Sequence, residues 1–166
     1  NKYHSDDQAK EKIRFFGYDD AKKIQTLGIN LKMTEAHAAM GLANLKNAKK
    51  HFDLRKSHHH LYMKLLSDNQ NINFQMINEK SYNYSYMPII IRNKNNVKKL
   101  IKKLNKYNIF PRRYFYPSLN KIKIIKDKKN FPISEYLSDR ILCLPMYSDL
   151  KRKEIKKISN IINEST

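Results

Sequence analysis

Apolar side chains recur every three or four residues along three stretches of the chain and alternate with polar ones along two others. From Thr34 onward, Ala38, Leu42 and Leu45 share one helical stripe, flanked by Ala36, Met40 and Ala43. Leu54, Leu61 and Leu65 carry that stripe on, so the pattern predicts one long helix to about Leu66. Thr34 reads as its N-cap, and Glu35 sets a carboxylate at the positive end of the helix dipole. Val97, Leu100, Ile101 and Leu104 define a second helix from Asn93 to Tyr107. Leu150, Ile155, Ile158 and Ile162 define a third from Asp149 to Ile162. Two shorter helices are expected, from Ser5 to Phe16 with Gly17 as its end, and from a Ser134 cap to about Arg140. Ile72, Phe74 and Met76 alternate as a half-buried strand does, and Tyr84 to Ile91 is a second strand. Pro88 places that strand at an edge, or itself at the strand's start. Ile109 to Pro117 reads as extended, Leu142 to Tyr147 as a strand or extended link, and Tyr18–Leu27 and Lys121–Asn130 as loops. Helices and strands alternating in this way imply an α/β layer structure.

Composition adds one loud fact, a formal net charge of +19 over 166 residues. Such a balance raises the prospect of a basic nucleic-acid-binding module. The lysines, however, are scattered through every segment, and Lys98, Lys99, Lys102, Lys103 and Lys106 form the polar side of the second helix, which is how a solvated face looks. No specific nucleic-acid partner is therefore expected. No run is long and apolar enough for a membrane span. The single cysteine, Cys143, excludes an internal disulfide and sits in the apolar run Ile141–Leu144, where a buried, inert thiol is expected. A reducing, cytoplasmic setting fits this, and a chain that starts at Asn1 reads as part of a longer protein.

The inventory of chemical groups is thin. His58, His59 and His60 are adjacent, and neighbours on a helix point about 100° apart, so they cannot converge on one metal. No other metal-ligand spacing and no glycine-rich phosphate loop is present. The informative cluster is Arg112-Arg113-Tyr114-Phe115-Tyr116-Pro117. Its guanidinium groups suit bidentate phosphate contacts, and its tyrosines offer hydroxyls and flat faces to a sugar or a base. An aromatic strand packed on helices, with its arginines in solvent, stays open as the alternative. Before the long helix, Asn30 and Lys32 place an amide and an ammonium where a turn can present them to an anion.

The string GINLKMTEAHAAMGLANL, Gly28 to Leu45, resembles the G-x-N-x-[RK]-M-[ST]-E-x-x-A-A-x-G-L motif of the DegT/DnrJ/EryC1/StrS family. Two further stretches carry the resemblance. NIFPRRYFYPSLNK is similar to that family's extended segment ending in an aromatic-x-Pro pattern, and ISEYLSDRILCLPMYSDLKRKEIKKISNII resembles its C-terminal signature R-x-L-x-L-P followed by a final helix. The resemblance implies the aspartate-aminotransferase-like fold (fold type I), with residues 1–66 as the end of the large domain and the long connecting helix, and 67–166 as the small C-terminal α/β domain.

It also implies a pyridoxal 5'-phosphate enzyme that transfers an amino group from glutamate to a nucleotide-linked keto-deoxyhexose, for O-antigen or surface polysaccharide synthesis, as a homodimer with shared active sites. By the same resemblance Asn30 reaches the cofactor phosphate from the partner subunit, Lys32 faces the phosphates of the nucleotide sugar, and Arg113, Tyr114 and Tyr116 lie on the substrate side. The histidine that commonly follows the proline is missing from Pro117-Ser118-Leu119-Asn120. No lysine here matches the family's Schiff-base lysine, which is expected before Asn1, so this stretch alone is expected to be inactive. Relatives with histidine in place of that lysine are sugar 3-dehydratases, which leaves that reading open beside the aminotransferase.

Overall fold

The computed structural model describes residues 18–20, 23–24, 32–125 and 129–165. Two compact units divide the chain, residues 1–46 and 47–166. In the first, β1 (Tyr18–Asp20) pairs antiparallel with β2 (Lys23–Ile24), where the sequence reads as a loop. Strands of two and three residues are too short to display a period of two, so the pattern carries no sign of them. The helix expected over Ser5–Phe16 lies outside the described residues.

The long helix α1 spans Glu35–Leu66, as its stripe predicts. Thr34 caps it: the hydroxyl oxygen accepts from the His37 backbone N–H at 3.3 Å, and its carbonyl accepts from Ala38 N–H at 3.0 Å. Met40, Leu42 and Leu45 are exposed, and a Cβ on Gly41 would meet nothing within 4 Å. Of the small residues in this stretch, Ala36, Ala39, Gly41 and Ala43 are exposed and Ala38 is half-buried.

In the second unit, β3 (Ile72–Phe74), β4 (Met87–Ile91) and β5 (Ile141–Leu144) form an antiparallel sheet in the order β3-β4-β5. The register lines up Ile72 with Ile91, Phe74 with Ile89 and Leu142, and Met87 with Leu144, so these side chains share one face. Onto this core pack the apolar positions of α2 (Lys94–Lys106) and α4 (Arg152–Asn163), with Tyr62 and Leu66 of α1. Val97, Leu100, Leu104, Ile155, Ile158 and Ile162 are buried, while the lysines of α2 lie on its outer side. Helix α3 (Pro132–Arg140) leads straight into β5.

Helix ends follow local chemistry. The Asn93 side chain accepts from Asn95 N–H at 3.0 Å at the start of α2. At its other end Asn108 takes φ 60°, Asn108 N–H bonds the Asn105 carbonyl (3.0 Å), and Ile109 N–H bonds that of Leu104 (3.1 Å). This is a Schellman motif, with asparagine in the left-handed position. Glu154 accepts from the Lys151 N–H at 2.7 Å, so α4 starts at Arg152 and not at Asp149. Ser134 is not a cap, because Pro132 fits the first helical position and Glu135 closes the turn by accepting from Phe131 N–H at 3.1 Å.

One strand reading changes, and of the two places open to Pro88 the strand's start is the one observed. Met76 is 97 % exposed, since β3 ends opposite Ile89 and nothing pairs beyond Phe74. Pro88 lies near the start of the central strand rather than on an outer edge of the sheet. Its partner on β5 is Cys143, whose N–H and C=O both bond Arg112 on the far side (2.7 and 3.0 Å). The Pro88–Cys143 pair is therefore a non-hydrogen-bonded one, and on its other side Pro88 lies beyond the end of β3. No ladder bond misses the absent N–H.

Replacing Leu100 by Ala should destabilise the protein by about 2–5 kcal/mol, the usual cost of truncating a buried leucine. Lys102→Ala on the exposed side of the same helix should change stability by no more than about 0.5 kcal/mol, both read from denaturant midpoints.

His58 and His59 are buried within the second unit, His59 edge-on to Tyr82 and Tyr84 with ring centroids 5.8 and 5.2 Å away. Burial holds both imidazoles below their usual pKa, outweighing a backbone hydrogen bond with Tyr147 at His58 and the nearby Glu79 at His59. An unfolded imidazole takes up its proton at about pH 6.5 and these only at lower pH, so acid favours the unfolded chain. Stability should be complete above about pH 6.5 and fall below it. A His59→Phe variant should show a flatter loss between pH 7.5 and 5.5 in urea titrations.

Candidate functional site

The arginine–tyrosine segment begins where the Schellman turn at Asn108 sends the chain out of α2. Arg112 then adds a one-residue bridge to the outer edge of β5 through its two bonds with Cys143. The Cys143 thiol is buried between these strands and its pKa is pushed up by that burial, as an inert core thiol's should be. Beyond the bridge the chain turns at Tyr114 and Phe115, and a short 3-10 turn, Leu119–Lys121, follows.

Glu135 ties that turn to α3. Its carboxylate accepts from Asn120 Nδ2 at 2.7 Å and from Phe131 N–H at 3.1 Å, and it pairs with Lys121 Nζ at 3.0 Å. These hydrogen bonds, that from Asn120 foremost, hold its pKa below the ordinary carboxylate value.

Neighbouring positions in this segment serve different places. Arg113 Nη2 donates to the Ser138 carbonyl at 2.8 Å, and its guanidinium lies 3.5 Å from the centre of the Tyr116 ring. Arg113 and Tyr116 thus stack on each other, and both line a cavity of about 310 Å³ with Lys94, Lys98 and Asp139. Tyr114 turns elsewhere. Its hydroxyl accepts from Arg112 Nη1 at 2.9 Å, and its ring meets Tyr86 and Phe115 with centroids 5.3 Å away in each case. Tyr114 stands between two other cavities. One, of about 680 Å³, is lined by apolar side chains including Phe115, Leu119, Phe131 and Ile133. The other, of about 310 Å³, is lined by Tyr86, Phe110, Arg112 and Tyr147.

Of the residues expected to bind, Arg113 and Tyr116 come together and Tyr114 does not join them. Lys32 is exposed just before α1, and Asn30 lies outside the described residues. Sequence reasoning passed over Tyr86, Phe110 and Tyr147. A signal for Tyr86 existed in the alternation Tyr82-Asn83-Tyr84-Ser85-Tyr86, but Tyr84 takes φ 53°, which breaks the alternation and leaves Tyr84 buried and Tyr86 exposed. No group of three or more His, Cys, Asp or Glu among the described residues is placed to hold a metal ion. No described helix is long and apolar enough to cross a membrane.

The model of the DegT/DnrJ/EryC1/StrS aminotransferase family matches residues 4–163. The chain belongs to that family. It is 34% identical over 161 residues to the dTDP-4-amino-4,6-dideoxy-D-glucose transaminase of Escherichia coli, a match covering 92% of this chain and 43% of the relative. The chain therefore spans somewhat under half the length of that curated relative. The fold is likewise similar to that of DesI, solved in the presence of its TDP-sugar product (TM-score 0.76, 22% identity, 95% of this chain and 42% of DesI). It is also similar to that of S. venezuelae DesV (TM-score 0.78, 16% identity, 96% of this chain and 44% of DesV). The fold is that of the pyridoxal-phosphate-dependent sugar aminotransferases, and the family's enzymes use that cofactor. Of the residues that the resemblance sets at the cofactor, Asn30 lies outside the described residues.

Replacing Arg113 by Lys should lower stability by about 1–3 kcal/mol, because a lysine cannot keep both the Ser138 carbonyl bond and the flat stack on Tyr116. Thermal unfolding measures it.

Proposed function

We propose that this chain is the C-terminal part of a pyridoxal-phosphate-dependent aminotransferase that transfers an amino group from glutamate to a nucleotide-linked keto-deoxyhexose. The observation that carries the reading is the family match across residues 4–163, joined by 34% identity to a dTDP-linked amino-sugar transaminase. Amino sugars of this kind would feed O-antigen or other surface polysaccharide synthesis in the cytoplasm. The cofactor supplies the electron sink when bound, and the protein's task is binding, orientation and charge. In this reading Asn30 donates to the cofactor phosphate of the neighbouring subunit in a homodimer, and Lys32 turns its ammonium to the substrate diphosphate. Tyr114, Tyr116 and Arg113 belong to the substrate side, Tyr114 through contact with the sugar. The support for Lys32 is its exposure immediately before a capped helix. The support for a subunit interface is the exposed Met40, Leu42 and Leu45 beside the small residues of α1.

The full-length protein, given pyridoxal phosphate, glutamate and a dTDP-4-keto-6-deoxyhexose, should yield 2-oxoglutarate and an amino sugar detectable by mass spectrometry. Loss of water from the sugar with no amine would move the protein to the dehydratases of the same family, and turnover of neither kind would refute the reading. The shared site is tested separately by mixing Asn30→Ala subunits with subunits lacking the cofactor-binding lysine. One of the two sites in each hybrid then keeps both residues, so activity should return. Hybrids that form and stay inactive would mean that Asn30 serves its own subunit.

A further inference from the structure

The geometry points to Arg112, rather than its neighbour Arg113, as the residue of the second unit that takes the phosphates of a nucleoside diphosphate, in the cavity walled by Tyr86, Phe110, Tyr114 and Tyr147. The inference rests on the nucleotide-sugar reading and assigns that substrate's diphosphate to a place.

The two arginines differ in what they already do. Arg113 is half-buried, donates to the Ser138 carbonyl at 2.8 Å and stacks on Tyr116 at 3.5 Å, and its Nε is buried without a partner, so its guanidinium is turned inward. Arg112 is exposed. Of its five N–H donors one is used, on the Tyr114 hydroxyl at 2.9 Å, and no other described residue bonds its guanidinium. The rest of the planar fork is open to a bidentate partner, the arrangement that phosphate oxygens fit.

Arg112 is also well held. Its backbone is fixed to β5 by both Cys143 bonds, and Tyr114 fixes one corner of the guanidinium. Preorganisation of this kind lowers the ordering cost that a long, solvated side chain otherwise carries into binding. Around it the cavity of about 310 Å³ is lined by four aromatic rings, and Arg112 is the one charged side chain among its lining residues, with no carboxylate to compete for it. Tyr86, Phe110 and Tyr147 are each about half or more exposed, so their faces are accessible. A second cavity of about 380 Å³ shares Phe110, Pro145 and Tyr147 with the first and adds the Tyr107 ring, with Lys157 and Glu154 as its charged lining. Flat rings beside one open guanidinium suit a ligand with a base or sugar to stack and a diphosphate to anchor. Another cationic cavity, lined by Lys94, Lys98 and Arg113, includes Asp139 and has Tyr116 already covered by Arg113.

Titration of the full-length protein with thymidine diphosphate, together with steady-state kinetics on the nucleotide-linked keto sugar, tests the assignment. Arg112→Ala should weaken thymidine diphosphate binding and raise KM by about tenfold to a hundredfold, with kcat within about threefold and Tm unchanged. Arg112→Lys should recover part of the loss, since an ammonium is a point charge without the fork. Arg112→Ala binding the diphosphate as tightly as the parent overturns the assignment. A parent that binds no thymidine diphosphate overturns this and the nucleotide-sugar reading together, whereas a parent that binds and turns over, yet is indifferent to Arg112→Ala, overturns this one alone.

Discussion

The second unit hangs on the backbone of Cys143. Its N–H and C=O are both committed to Arg112, so its other flank meets β4 at a non-hydrogen-bonded pair. That is what lets a proline stand in the central strand without an orphaned carbonyl opposite it. Leu142 and Leu144, on either side of Cys143, complete the rows with Ile89 and Met87 and bury the sheet face against α2 and α4. One residue thus holds the core on one flank and the arginine–tyrosine segment on the other. The positions of Arg112 and Tyr114 are consequences of how the hydrophobic core closes.

The large features were legible because they are local. A period of 3.6 over twelve or more residues marks α1, α2 and α4, and the Thr34 cap acts on a backbone group within a few residues of itself. Features that depend on distant partners were less so. Met76 continues the alternation of Ile72 and Phe74, yet the β3–β4 pairing stops at Phe74 and Ile89, before Pro88, whose missing N–H could not continue the ladder. The pairing of β1 with β2 likewise leaves no pattern in so few residues. Ser134 has the right chemistry for a cap, but Pro132 and the reach of Glu135 set the helix start two residues earlier.

The site shows the same division more sharply. Arg112, Arg113, Tyr114 and Tyr116 are consecutive or nearly so, and adjacency makes them look like one cluster. In extended backbone, successive side chains point to opposite sides. Arg112 and Arg113 therefore part company at once, one to the aromatic cavity and the other to the α3 carbonyl of Ser138. The turn at Tyr114 and Phe115 then separates Tyr114 from Tyr116. Residue types announced the chemistry, and only the pairing with β5 determined which member of the cluster is available for it.

The same reasoning limits what the charge can do. Lys94, Lys98, Lys99, Lys102 and Lys106 of α2 are exposed, and the half-buried Lys103 meets Glu164 at the end of α4 at 3.2 Å as a surface pair whose worth is at most about 1 kcal/mol. Charges spread over separate faces add to the general field around the protein, which salt screens within about 10 Å, without directing a ligand to a point. Direction requires a charge held in place and free to bond. In the second unit that condition is met where a guanidinium is fixed by a tyrosine hydroxyl and carried on a backbone bridge to β5. A lysine-rich surface and a single well-held arginine are thus different devices, and the aromatic walls beside Arg112 are what convert charge into recognition.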